Sequence, residues 1–174
     1  MTAADWIKLA LLCLAGAASP GLSWLLILSM SASKGTRVGI SGALGHGLGI
    51  TAFALITVFG LSALLIAMPK LTSALTLLGI GLLVFFGYQL VTAGRSPLPE
   101  GLTTRDGFIA GFSIAIVNPK VLVFFLAVFG PFVDPTHPTS TQMLMGLLAG
   151  GIDAGVYLGV AVAGSTLRTL LNEA

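Results

Sequence analysis

A lysine stands directly behind a helix-breaking proline, near the middle of a long apolar stretch. From Gly107 to Val133 the only charged residue is Lys120, in the run Asn118-Pro119-Lys120. An ammonium group deep in hydrocarbon costs at least about 2.5–3.5 kcal/mol, so a residue of this kind needs a partner or a task. Proline removes one amide hydrogen and opens the helix, freeing carbonyls that lipid cannot satisfy. A similar break, Ser19-Pro20-Gly21, lies in an earlier apolar run. Two more titratable side chains fall inside apolar segments: His46, set among Gly42, Gly45, Gly47 and Gly49, and Asp153, in Gly150-Gly151-Ile152-Asp153-Ala154-Gly155.

The chemistry open to these groups is recognition rather than bond making. Lys120 and free backbone amides suit a carboxylate; free carbonyls and Asp153 suit an ammonium. Together they would hold a zwitterion. Asn118 adds a donor and an acceptor, and Lys120 is expected to pair with Asp153 or to snorkel along its stem. Two roles fit His46, a hydrogen-bonded packing residue or a proton-responsive group on the pathway. Asp153 is either a structural ion pair or a working carboxylate. Ser19, Pro20 and Gly21 supply either a second polar break or a simple kink. Helical spacing puts Gly146, Gly150, Asp153 and Tyr157 on one face, and Gly151, Gly155 and Gly159 on a second, expected to pack tightly.

Composition sets the frame that must position these residues. Of 174 residues, 56% are hydrophobic and only 8% charged, with a mean hydropathy of +1.04. That balance excludes an ordinary water-soluble domain and predicts an all-α, polytopic helical membrane protein, a single transmembrane domain over residues 1–174. The net charge of +2 comes from residues at segment ends, so no nucleic-acid patch is expected. One cysteine, Cys13, excludes an internal disulfide and reads as helix packing. Lys8, the apolar run after it and Ala15-Gly16-Ala17 imitate a signal peptide. The run continues to Met30, however, which favours an uncleaved first span.

Five segments are long enough to span: Leu9–Ser31, Val38–Ala67, Leu71–Ala93, Gly107–Val133 and Thr141–Leu167. Spans one and four carry the breaks. Turn residues separate them at Lys34–Arg37, Met68-Pro69-Lys70, Arg95–Arg105 and Pro131–Ser140. If the spans alternate, Lys34, Arg37, Arg95, Arg105 and Arg168 share one side, against Lys8 and Lys70 on the other. The positive-inside rule then places the N-terminus outside and the C-terminus in the cytoplasm. Trp6 and Tyr88 read as interfacial anchors, and Phe85, Phe86, Phe124 and Phe125 as packing.

Ser19–Leu26 can be laid over Asn118–Phe125, which suggests a first repeat over residues 6–94 and a second, shortened one over 106–171. With three spans per unit the copies would be inverted, and the second is one span short. The sixth helix is then missing or supplied by a partner. Broken helices at matching places in two halves mark a transport site, so the chain reads as a small transporter.

From Leu11 to Gly164 the chain resembles the lysine exporter superfamily, specifically the homoserine/threonine exporter branch of bacterial amino-acid efflux proteins. The resemblance rests on Ser19-Pro20-Gly21, on Gly107-Phe108, and on the block from Asn118-Pro119-Lys120 through Phe124-Phe125-Leu126 to Pro131-Phe132-Val133-Asp134-Pro135. It implies export of amino acids or close derivatives across the bacterial inner membrane, driven by proton motive force. It also implies that Pro20, Gly21, Asn118, Pro119 and Lys120 frame the site. The family pattern has Pro-Gly-Pro in span one, where this chain has Leu22 in place of the second proline, and six spans rather than five.

The expected partners are a small amino acid, protons and the lipid bilayer, with a second copy of the chain as a further candidate. No nucleic acid, cofactor or resident metal is expected. Two alternatives stand beside export of amino acids. One is export of a divalent cation, disfavoured because hard cations want several oxygens and Asp153 is alone in its span. The other is a truncated or assembly-dependent membrane subunit without transport activity of its own. An intramembrane enzyme is not expected, for want of a nucleophile with its base.

Overall fold

The computed structural model describes residues 1–67 and 102–173. Helix α1 (Ala3–Ala18) starts at a capping box in which Thr2 and Asp5 satisfy each other's backbone amides. That cap carries the first helix back past Leu9, the expected start. Ser19 precedes a proline and is therefore pushed out of the helical region, to φ −70° and ψ 126°. Helix α2 (Leu22–Lys34) resumes after Gly21, and its axis bends 59° from that of α1. Gly35, at φ 103°, is the sole residue between α2 and α3 (Thr36–Ala67); only glycine takes that conformation without strain.

The second break repeats the first in backbone terms. Helix α4 (Thr104–Val117) opens on another capping box, Thr103 with Asp106. It ends at Asn118, whose φ −73° and ψ 115° are again those of a residue held extended by a following proline. A short helix α5 (Pro119–Val123) leads into a π-helical stretch, Phe124–Phe129, and a 3₁₀ turn, Gly130–Phe132. Pro119–Phe132 is bent 48° from α4. The long helix α6 (Thr139–Glu173) closes the described chain.

Helices α3 and α6 are each long and apolar enough to cross a membrane alone, and each bent pair makes one more candidate span. These correspond to four of the five expected segments. The third, Leu71–Ala93, lies outside the described residues, as do Met68-Pro69-Lys70, Phe85, Phe86, Tyr88 and most of the Arg95–Arg105 linker. Outward-facing Ile7, Leu11, Ile56 and Val117 are 60–70% exposed, the pattern of a surface solvated by hydrocarbon rather than water.

Helix α3 is the hub, packing most extensively on α6 and α4. Its glycines let the backbones touch. A Cβ on Gly45 would strike the Phe108 carbonyl, and one on Gly111 the Gly42 carbonyl. Gly111→Ala is therefore expected to force α3 and α4 apart, lowering stability by about 1–3 kcal/mol. Thermal unfolding in detergent, compared with Gly60→Ala where a Cβ meets no described atom within 4 Å, reads that difference.

The glycine faces of α6 divide differently from the expectation. Gly146 and Gly150 do pack closely, against Leu55 and Thr51. A Cβ on Gly151, Gly155 or Gly159, by contrast, meets no described atom within 4 Å. Spacing identifies a face that permits close approach; the rotation of α6, set by Asp153 and Tyr157 turning inward, decides which face meets a neighbour.

Two apolar clusters form. One gathers Leu9, Ile50, Val58, Phe125, Phe129 and Met145; the other gathers Ile27, Met30, Val38, Tyr157 and Ala161. Ser23, His46, Asn118 and Asp153 border a cavity whose lining also draws on both clusters.

Candidate functional site

The two breaks face each other. Asn118 caps α5 by accepting the Lys120 amide at 2.9 Å, while its own Nδ2 donates to Ser23 Oγ at 2.8 Å, across to the first turn of α2. Lys120 Nζ donates to the Ser19 carbonyl at 2.7 Å. That carbonyl stands at the broken end of α1, on its C-cap residue, so each break satisfies part of the other. Ser23 is buried and also engages the Tyr157 phenol.

Opposite them, His46 Nδ1 and Asp153 Oδ2 are 2.6 Å apart, and both side chains are more than 90% buried. Tyr157, one turn after Asp153, stacks on the imidazole with ring centroids 4.3 Å apart and planes 23° from parallel. The Asp153 carboxylate accepts, so Nδ1 carries the hydrogen; the tautomer follows from the hydrogen bond. The far nitrogen, His46 Nε2, is buried and has no hydrogen-bond partner among the described residues.

These groups border one cavity. Its polar wall is Ser23, His46, Asn118, Lys120, Asp153 and Tyr157; its apolar wall includes Ile50, Val121, Phe124, Phe125 and Ala149. The space open to the centres of water molecules is about 50 Å³, room for roughly three to five waters. Gly16 keeps one side narrow, because a Cβ there would come within 2.8 Å of the Phe124 ring. Among the described residues no three His, Cys, Asp or Glu side chains group as a metal site would need.

Of the residues singled out by sequence, Gly21, His46, Asn118, Lys120 and Asp153 line the cavity. Ser19 contributes through its carbonyl, and Pro20 and Pro119 act by setting the breaks. One pairing is corrected: Asp153 bonds to His46 and Lys120 to Ser19, rather than to one another. Cys13 lies in the apolar core as expected, and also on the cavity wall. Ser23 was not singled out in the sequence, and Tyr157 was placed on the Asp153 face without a role in the site. Ser23 could have been found from its place one turn after Ser19, at the start of the second half-helix.

The chain matches the LysE type translocator family over residues 14–174. It is 30% identical to an uncharacterized membrane protein of Pseudomonas aeruginosa, over 68% of this chain and 59% of that one. It is 30% identical to a putative amino acid efflux protein of Bacillus subtilis, over 80% and 72% of the two chains. With the threonine efflux protein of Escherichia coli it shares 28% identity over 71% and 64%. The chain thus spans about three fifths to seven tenths of the length of these relatives. No solved structure matches it significantly. A helical membrane protein with two proline breaks meeting at a polar cavity, and a family match over all but its first turns, belongs to the LysE type translocators.

Proposed function

We propose that the protein exports amino acids or close derivatives across the bacterial inner membrane, driven by proton motive force. It is read as a transporter and not an enzyme. The carrying observation is the cavity at the crossing of the two breaks. Lys120 and the amide of Asn118 suit a carboxylate there, and the buried His46–Asp153 pair supplies a proton-responsive element on the facing wall. The names of the Bacillus and Escherichia relatives support amino acids as the substrate class. Export of a divalent cation has less support, because the cavity offers a single carboxylate among the described residues, already engaged by His46.

The test is counterflow in proteoliposomes with the full chain and a panel of radiolabelled amino acids, with and without an imposed pH gradient. Trans-stimulated uptake of at least one amino acid, accelerated by the gradient, is the expected result. No exchange with any member of the panel would overturn the reading.

Orientation completes the proposal. The N-terminal amine lies 3.4 Å from His137 Nε2, which groups the chain start with Asp134 and the loop before α6. At the other end Ser41 donates to the Thr104 carbonyl at 2.6 Å, beside Arg37 and Arg105. The basic end would face the cytoplasm. In a Cys13→Ala background, a cysteine at Thr36 should react with an impermeant thiol reagent from the cytoplasmic side alone. A cysteine at Ser140 should react from outside alone. The opposite labelling would invert the orientation.

A further inference from the structure

We infer that His46 Nε2 is the atom at which the substrate's ammonium group and the exchanged proton compete, so that binding one expels the other. This inference rests on the amino-acid export reading and adds to it the coupling step. Asp153 fixes the hydrogen on Nδ1, which leaves Nε2 a bare acceptor when the ring is neutral. The nitrogen has no protein partner among the described residues; His46 borders the cavity, and Nε2 itself is buried in this state, so the ammonium reaches it by a small shift of the cavity wall. A substrate ammonium can donate to that lone pair. When Nε2 holds a proton it has no lone pair to offer, and the imidazolium repels the ammonium. No bond within the substrate changes; the proton leaves the ring for water as the ammonium arrives.

The surroundings favour a single exchange site. Of the elements around the ring, α6 contributes Asp153 and Tyr157, α1 contributes Cys13, α2 the uncharged Ser23, and α5 contributes Lys120 with Asn118. Lys120 is held across the cavity by the Ser19 carbonyl, where it suits the substrate's carboxylate. Carboxylate at the breaks and ammonium at His46 use both ends of a zwitterion. Asp153 serves as a positioning residue, holding the tautomer and offsetting the charge of the protonated ring.

The experiment measures proton release on ligand binding by the purified full chain, in weakly buffered detergent solution containing a pH dye. L-threonine and L-leucine are the probes, and their hydroxy-acid counterparts, which lack the ammonium group, are the controls. At acidic pH, amino-acid binding should release up to one proton per site, falling to none at alkaline pH. The apparent Kd should rise about tenfold per pH unit on the acid side, as simple competition requires. The hydroxy acids should bind without releasing a proton. His46→Gln keeps an acceptor but cannot titrate, so it should bind amino acids with a Kd independent of pH and with no proton released.

Amino-acid binding to the unsubstituted protein without proton release at any pH from about 5 to 8 would overturn this inference and leave the export reading standing. Release that persists in His46→Gln would overturn it equally. Failure of every amino acid to bind would remove the export reading and the inference together.

Discussion

Asp153→Asn is expected to leave the protein folded while nearly abolishing transport driven by a pH gradient. The asparagine is isosteric and can still accept from His46 Nδ1, so the buried contact at 2.6 Å has a neutral substitute. What disappears is the negative charge that stabilises a protonated imidazole. A hydrogen bond to a charged group contributes about 1.5–3 kcal/mol, so the protonated ring should become roughly 10- to 150-fold less populated at a given pH. Gradient-driven uptake into proteoliposomes should fall by about that factor, whereas substrate counterflow without a gradient should persist. Unchanged dependence on the gradient, in protein shown to be folded by its melting curve, would reduce Asp153 to a structural residue. Asp153→Ala is a different experiment. It strands His46 in the interior and should cost stability as well as coupling, because removing one member of a buried pair costs about 3–5 kcal/mol.

Lys120→Met carries the other large effect. Methionine preserves most of the side chain's length and apolar body while deleting the ammonium that reaches the Ser19 carbonyl. If Lys120 meets the substrate carboxylate, its loss should weaken binding by about 1.5–3 kcal/mol, an increase in Kd of roughly 10- to 150-fold. The loss should be common to all carboxylate-bearing ligands and absent for amino-acid amides, which separates recognition of the carboxylate from a general distortion of the cavity. Equal affinity for amino acids in the folded variant would leave Lys120 as a strut between the breaks. Asn118→Ala, which removes both the α5 cap and the Ser23 contact, should instead disturb the geometry and weaken amides and acids alike.

The breaks and the titratable residues were legible in the sequence because each follows from one residue's own chemistry. Pro20 and Pro119 withhold an amide and force the preceding residue into extended backbone, and Ser19 and Asn118 take nearly the same ψ, 126° and 115°. Lys120, His46 and Asp153 stood out because charge or titration inside an apolar segment is expensive wherever it occurs. Their partners were not legible. His46 and Asp153 are 107 residues apart on different helices, and only the rotation of α3 against α6 brings them together. Nothing local encodes that rotation: Gly146 and Gly150 pack on α3, while Gly151, Gly155 and Gly159, with the same spacing, meet no described atom. The capping boxes at Thr2 and Thr103 were in the sequence but hidden by the search for apolar runs, and for that reason α1 begins before Leu9.

The contact between Lys120 and the Ser19 carbonyl has one more consequence, for how this protein can change over generations. The acceptor belongs to the main chain, so every amino acid at position 19 presents it, provided Pro20 keeps the backbone extended. A drift from serine to alanine or threonine there would leave the contact whole. For this contact the lysine therefore has no side chain at position 19 with which to co-vary. The signal of this interaction should appear instead at position 20, in the residue that holds the carbonyl open, and at position 21, where a Cβ would lie 3.5 Å from the lysine side chain.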